Sequence, residues 1–261
     1  MFGVGVLLIF AVACLVGPFL DRSDPVRQDL ANAFMAPSLA HPLGTDDLGR
    51  DQLVRVLYGG RLTLLVGFGA VAIGFVIGVP VGALSGYLGG WLDMVAQRLI
   101  DVILAFPNIL LAIALVAALG PGLRNVVVSV GITSIPGFVR LVRASALSIR
   151  ELPYVEAARA LGVPAWKILL RHVIPNSLAP VIVQATLQLG AAILVAAGLG
   201  FLGLGVQPPT PEWGTMLGSS RQFIFSDPIL VIVPGLAIFG AVLAFNLLGD
   251  GLRDALDPRL R

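Results

Sequence analysis

The chain has 261 residues and a formal net charge of +2 at pH 7, with 57% hydrophobic and only 12% charged residues. Because a soluble domain carries about 25% charged residues, this composition excludes an ordinary soluble domain and indicates a membrane protein. The basic residues are scattered between apolar stretches without interleaved aromatic residues, which argues against nucleic-acid binding. A single cysteine, Cys14, excludes an internal disulfide and a cysteine-based metal cage, and neither His41 nor His172 has a second ligand at helical spacing.

Six apolar runs bounded by charge, proline or glycine predict an all-α, polytopic membrane protein with six transmembrane helices. The first run lacks a preceding Lys or Arg and is nearly long enough to cross the bilayer, so we interpret it as a spanning helix, with a secretory or lipoprotein signal as the alternative. Six spans place both termini on the same side of the membrane. The runs cover about 2–20, 62–87, 99–119, 124–143, 178–204 and 229–249.

The distribution of Lys and Arg orients these spans. Ten of the 17 basic residues fall in the 88–98 loop, the 140–171 region and the C-terminal tail, which favours a cytoplasmic location for that side. The loops at 21–61 and 205–228 then face outward. We therefore divide the chain into 1–61, a first transmembrane helix with an extracytoplasmic loop, and 62–261, a five-helix core with a cytoplasmic loop at about 150–176.

Within the outer loop, GTDDLGRDQLVRVLYGGR at 44–61 predicts an interfacial helix ahead of the second span. A direct role of its charged residues in substrate binding is an open alternative. The predicted polar face comprises Asp46, Asp47, Arg50, Asp51 and Arg55.

The second run carries glycines four residues apart, which places them along a slowly drifting stripe of a helix. Small residues at this spacing allow two helix backbones to approach closely, so we predict a helix-packing surface. A stripe that lines a path which opens and closes is the alternative. The glycines are Gly74, Gly78, Gly82, Gly86 and Gly90.

Charges near the predicted spans are few. Arg98 and Asp101 are three residues apart at the start of the third span, where they predict a local structural ion pair. Arg140 and Arg143 lie near a helix end, where long side chains can reach the headgroups. The absence of an acidic residue at the predicted centre of any span argues against a proton-driven carrier with a carboxylate relay.

The segment YVEAARALGVPAWKILLRHVIPN at 154–176 stands between apolar runs and holds the only lysine of the chain, Lys167. It predicts one short helix over 153–161, closed by Gly162 in a left-handed conformation, and a second from Pro164 to Pro175. Small residues of the first helix leave room for another protein's backbone. Helices lying on lipid, with Lys167 and Arg171 contacting phosphates, are the alternative.

The same segment resembles a known signature. EAARALG followed by IPN is similar to the EAA motif of membrane subunits of binding-protein-dependent ABC importers, with Ile174-Pro175 in place of the usual leucine-proline ending. Three further blocks resemble the C-type permeases of the dipeptide, oligopeptide and nickel group, so the likeness covers nearly the whole chain from residue 41. These blocks are HPLGTDDLGRDQLVRVLYGGRLTL at 41–64, RLIDVILAFPNILLAIAL at 98–115 and LGFLGLGVQPPTPEWGTML at 199–217.

This resemblance implies a type I ABC importer permease fold in a bacterial or archaeal cytoplasmic membrane, with both termini cytoplasmic. It implies a second homologous permease subunit, two ATPase subunits or domains that bind ATP and Mg, an extracytoplasmic substrate-binding protein and membrane lipid as partners. The EAA loop would couple to the ATPase. Peptides are the expected substrate, while nickel and glutathione stay open. Glu156, Ala157, Ala158 and Gly162 occupy the signature positions, and Arg159 and Leu161 lie between them as further contacts.

No catalytic site is predicted in the chain itself. A phosphate-binding P-loop requires Gly-Lys followed by Ser or Thr, whereas Lys167 follows Trp166. Two histidines do not support a nucleophilic triad, so we predict no enzyme activity, no metal site and no cofactor in this chain. A secondary carrier that works without ATP and a non-transporting membrane scaffold are the competing hypotheses.

Overall fold

The computed structural model describes residues 24–256 together with Gly5, Val12 and Gly17. Apart from those three positions, the predicted span at about 2–20 therefore lies outside the described residues. Residues 24–256 contain no β-strand, only an isolated bridge between Thr45 and Asp51. The all-α prediction is confirmed. The helices are α1 (Gln52–Leu88), α2 (Gly90–Leu104), α3 (Asn108–Leu119), α4 (Leu123–Ile149), α5 (Pro153–Ala160), α6 (Ala165–Phe201), α7 (Trp213–Ser220) and α8 (Ile229–Leu256).

In the described residues α1, α4, α6 and α8 are each long and apolar enough to span a membrane. The run at 99–119 was predicted as one span, but α2 and α3 meet at an angle of 88°. Pro107 causes this break, because it lacks an N–H and disfavours a helical conformation at Phe106. The predicted loop at 88–98 is also wrong, since α2 begins at Gly90.

The predicted helix over 44–61 is not a separate element. Residues 44–51 form a loop in which Gly44 and Gly49 adopt left-handed φ values of +75° and +71°. Asp51 then caps α1, because its carboxylate accepts a hydrogen bond from the Val54 N–H at 3.0 Å. The transmembrane helix therefore starts at Gln52 and absorbs most of the predicted interfacial segment.

Pro175 does not end a helix as predicted. A π-helical turn at Leu169–Val173 precedes it, and the Ile174 N–H donates to the carbonyl of Leu169, five residues earlier. In a regular α-helix the proline ring would clash with the carbonyl four residues before it. The wider π turn relieves that clash, so α6 continues through Pro175 to Phe201.

The glycine stripe of α1 packs directly against α4, and this is the most extensive helix contact in the described residues. A Cβ atom on Gly78 would lie 2.6 Å from the Cβ of Phe138, and one on Gly82 or Gly86 would lie 2.6 Å from a carbonyl oxygen of α4. Gly74 has its nearest neighbours in α4 at 3.0 Å. Gly90 does not belong to this contact: it has open space at its Cβ position and a φ of +62° at the start of α2.

The segment at 205–228 is not simply a loop, because it contains α7. Trp213 is fully buried, and its indole N–H donates to the carbonyl of Val56 at 2.8 Å. The buried carboxylate of Glu212 accepts hydrogen bonds from the Gly214 N–H and the Thr63 hydroxyl, both at 3.0 Å. These bonds fasten α7 to α1. We call this end of the helix bundle the outer-loop end, and the end carrying α5 the EAA end.

Candidate functional site

The helix α5 contains the EAA residues and has defined boundaries. Pro153 occupies its first turn, where a missing N–H costs nothing. At its other end Gly162 adopts a φ of +75°, the Gly162 N–H donates to the carbonyl of Arg159, and the Val163 N–H donates to that of Ala158. This is a Schellman motif, which satisfies the last carbonyls of a short helix.

The two faces of α5 differ. Val155 is completely buried, and Ala158 packs against the hydrophobic core. On the other side the side chains of Glu156 and Ala157 are exposed, and Leu161 is 84% exposed. One face therefore anchors the helix while the other presents a small, mostly uncharged surface.

Arg159, which is predicted as a docking contact, is exposed and also ties α5 to the bundle. Its Nη2 atom donates to the carbonyl of Arg150 at the end of α4. Its guanidinium carbon lies 5.7 Å from the centre of the Tyr87 ring at the end of α1, which is within the range of a cation–π contact. Arg159 thus joins α5 to two spanning helices.

A second tie joins α5 to the start of α6. The rings of Tyr154 and His172 are 5.6 Å apart, and the Asn176 side-chain amide donates to the Tyr154 hydroxyl at 3.3 Å. The helix α5 therefore contacts α1, α4 and α6 at the same end of the bundle.

An ion pair missed by the sequence analysis holds α2 at this end. The Arg143 guanidinium donates two hydrogen bonds to the Asp93 carboxylate, at 2.6 and 2.7 Å, and the Ser85 hydroxyl donates a third at 2.6 Å. Arg143 therefore does not simply extend toward the headgroups. Asp93 and Arg143 are 50 residues apart in the sequence, so no local spacing predicts this pair. The only signal in the sequence is that charged residues are rare in this apolar chain.

The predicted pair of Arg98 with Asp101 does not form in the structure. Asp101 pairs instead with Arg140 of α4, at 2.8 Å, and Arg98 is exposed. Asp93 and Asp101 are eight residues apart and lie on the side of α2 that faces the two arginines of α4. Arg98 is three residues from Asp101, which places it about 60° around the helix.

We expect the substitution Asp93→Asn to destabilise the protein by about 1–2 kcal/mol, because it weakens a half-buried, charge-assisted bidentate contact. The exposed pair provides the matched control: Asp101→Asn should cost less than about 0.5 kcal/mol. Thermal unfolding of the detergent-solubilised protein measures both. Exchanging the charges (D93R with R143D) should recover part of the loss, and equal effects of the two asparagine variants would contradict this assignment.

At the outer-loop end, the charges predicted to form a polar helix face are paired with one another. The buried Asp46 carboxylate accepts from the Arg50 Nε at 2.6 Å, and it lies 3.4 Å from the Arg55 Nε. Arg55 also donates to the carbonyl of Pro25 at 2.9 Å, and His41 contacts Asp51 at 2.8 Å. These contacts organise the loop ahead of α1.

A known protein family matches most of this chain. The family model described as the binding-protein-dependent transport system inner membrane component matches residues 78–261. The chain belongs to this family. The match includes α5 and every helix named in the site except residues 52–77 of α1, so the EAA helix lies within the matched family region.

Individual relatives match the chain over almost its full length. The dipeptide transport system permease protein of Alkalihalophilus pseudofirmus is 50% identical over 260 residues, covering 99% of this chain and 86% of that protein. The glutathione transport system permease protein of Pectobacterium atrosepticum is 48% identical, with coverage of 99% and 86%. The di/tripeptide transport system permease protein of Pseudomonas aeruginosa is 46% identical, with coverage of 99% and 88%.

Solved structures support the fold. A chain of the inward-facing MetNI methionine ABC transporter superimposes with a TM-score of 0.63 at 22% identity, covering 78% of this chain and 96% of that chain. A chain of an amino acid ABC transporter with histidines gives a TM-score of 0.60 at 19% identity, with coverage of 77% and 94%. The permease therefore has the type I ABC importer fold.

Proposed function

We propose that this permease is the membrane subunit of an ATP-driven importer of di- or oligopeptides and that α5 is its coupling helix. The observation that carries the proposal is the two-sided character of α5, which is anchored by Val155 and exposed at Glu156, Ala157 and Leu161. A short helix with small exposed residues suits insertion into a groove of an ATPase subunit. The ATPase subunits, and not this chain, would bind ATP and Mg.

Movement of α5 would reach the transmembrane helices through its ties. Arg159 connects it to the ends of α1 and α4, and Tyr154 connects it to α6. The close contact of α1 with α4 makes these two helices move together, since packed backbones leave no space for independent sliding. ATP-driven closure of the ATPase dimer would thereby alternate the access of the path between the two sides of the membrane.

A second permease subunit and lipid would cover the rest of the helix surface. Only 33–56% of the residues in the apolar windows of the four spanning helices are buried within the chain. The remaining apolar residues require lipid or another apolar protein surface. In this arrangement the EAA end and both termini are cytoplasmic, while the outer-loop end meets the substrate-binding protein.

The proposed substrate class follows from the relatives. Their names specify dipeptides, di- and tripeptides and glutathione, which is itself a tripeptide. A peptide backbone is the chemical feature that these substrates share.

Purification of the chain from its native membrane, followed by reconstitution into proteoliposomes, tests this function. We expect a complex containing a second permease and two ATPase subunits or domains, and ATP-dependent uptake of dipeptides when the binding protein is added. Uptake that continues without ATP would favour a secondary carrier. A chain that purifies without any ATPase, in detergent and in native nanodiscs, would favour a scaffold.

A further inference from the structure

One face of α6 lines two successive cavities. A groove of about 490 Å³ is bordered on α6 by residues from Ala179 to Leu187, with Leu141 of α4 and Arg253 of α8 on its other sides. A smaller gap of about 20 Å³ continues along the same helix between Gln188 and Val195. The α6 residues that line them recur about every four positions, so they share one side of the helix.

Two glutamines mark the junction between these cavities. A Cβ atom placed on Gly137 of α4 would lie 3.2 Å from the Gln184 amide nitrogen and 2.9 Å from that of Gln188. Gln184 lines the groove, and Gln188 lines the gap together with Asn108, which begins α3 directly after the bend. The two amides therefore lie side by side next to a residue that has no side chain.

Within residues 24–256 the side chains of Gln184, Gln188 and Asn108 make no hydrogen bond. Gln184 and Gln188 lie within the apolar run at 178–204, and Asn108 lies within the run at 99–119, both of which are predicted to cross the membrane. An amide without a partner is strongly disfavoured in hydrocarbon. This side of α6 must therefore face water or another polar group, which is the environment of a transport path and not of lipid.

We propose that Gln184, Gln188 and Asn108 form an uncharged binding subsite for the peptide backbone on the translocation path. This inference rests on the proposed function. A carboxamide offers both a donor and an acceptor, which matches the N–H and C=O groups of a peptide bond. The smaller gap has room for about one water molecule in this conformation and is lined by no charged side chain, whereas Arg253 borders the adjoining groove. The adjoining groove has a volume typical of small-molecule sites.

The test compares two substrates in the reconstituted complex with saturating binding protein. Glycylglycine has a peptide N–H, whereas glycylsarcosine has a methyl group in its place. We expect the wild-type complex to import glycylglycine faster at saturation, and the variants Gln184→Met and Gln188→Met to reduce this preference roughly five-fold, the effect of one lost hydrogen bond. Methionine keeps the shape of glutamine without its amide, and assembly is checked by native mass spectrometry.

Gln222→Met changes an exposed glutamine that lines neither cavity and is the matched control: the ratio of the two uptake rates should stay at the wild-type value even if contact with the binding protein changes both rates. If Gln184 and Gln188 only contact the partner permease, both uptake rates will fall in parallel and the ratio will not change, which overturns the proposal. A wild-type complex that does not distinguish the two substrates also overturns it. A wild-type complex that imports neither substrate contradicts the proposed peptide transport, and the proposed subsite is then wrong as well.

Discussion

The substitution Gly82→Ala is expected to disrupt the contact between α1 and α4 and to lower the amount of assembled transporter. The added Cβ would lie 2.6 Å from the carbonyl oxygen of Val139 and 3.0 Å from the Cβ of Val142. Neither the backbone nor a β-branched side chain can rotate away, so the helices must separate. Overpacking of this kind costs about 1–3 kcal/mol. Thermal unfolding and the yield of complex after solubilisation measure the effect.

Gly251→Ala is the matched control for this prediction. Gly251 also lies in a spanning helix, α8, but a Cβ there would meet no atom within 4 Å. Alanine has the higher helix propensity, so the control should be neutral or stabilising by up to about 1 kcal/mol. If Gly82→Ala behaves like Gly251→Ala, the backbone contact between α1 and α4 is not as close as described.

The substitution Gly162→Ala is expected to uncouple transport without preventing assembly. Gly162 has a φ of +75° and open space around it, so the added methyl group causes backbone strain and no clash. A left-handed conformation costs a residue with a side chain roughly 1–2 kcal/mol, which changes an equilibrium by about 5- to 30-fold. The end of α5 should open, and ATP-driven uptake should fall by at least about five-fold.

Two further variants test whether the loss of uptake is due to backbone strain and whether that strain must lie at the end of α5. Gly162→Asn should retain more uptake than Gly162→Ala, because asparagine tolerates the left-handed conformation. Gly203→Ala introduces the same strain at the outer-loop end, where Gly203 has a φ of +78° and no neighbour within 4 Å. Uptake that drops equally with Gly203→Ala would show that the loss does not arise from α5.

Local signals in the sequence were sufficient for much of this fold. Apolar runs located α1, α4, α6 and α8, and proline and glycine marked both ends of α5. The stripe from Gly74 to Gly86 could be recognised because packing against a neighbouring backbone requires small residues at helical spacing. In each case the determining residues lie within a few turns of one another.

Features that depend on distant residues were not predictable in this way. The pairing of Asp93 with Arg143 joins two helices far apart in sequence, and the local alternative of Arg98 with Asp101 was wrong. The helix α7 was missed because its boundary is set by Glu212, whose carboxylate is held by Thr63 of α1. The continuity of α6 through Pro175 requires a π turn, which no spacing rule identified.

Site-directed photo-cross-linking shows whether α5 docks onto an ATPase subunit. Cys14 is first replaced by serine, and a photoactivatable maleimide is then attached to a cysteine introduced at Leu161. We expect a cross-linked product between this chain and the ATPase subunit in the assembled complex. A probe on Leu39→Cys, fully exposed at the outer-loop end, should give no such product. An intact complex in which Leu161→Cys never cross-links to the ATPase, while another surface of the chain does, would show that α5 is not the docking helix.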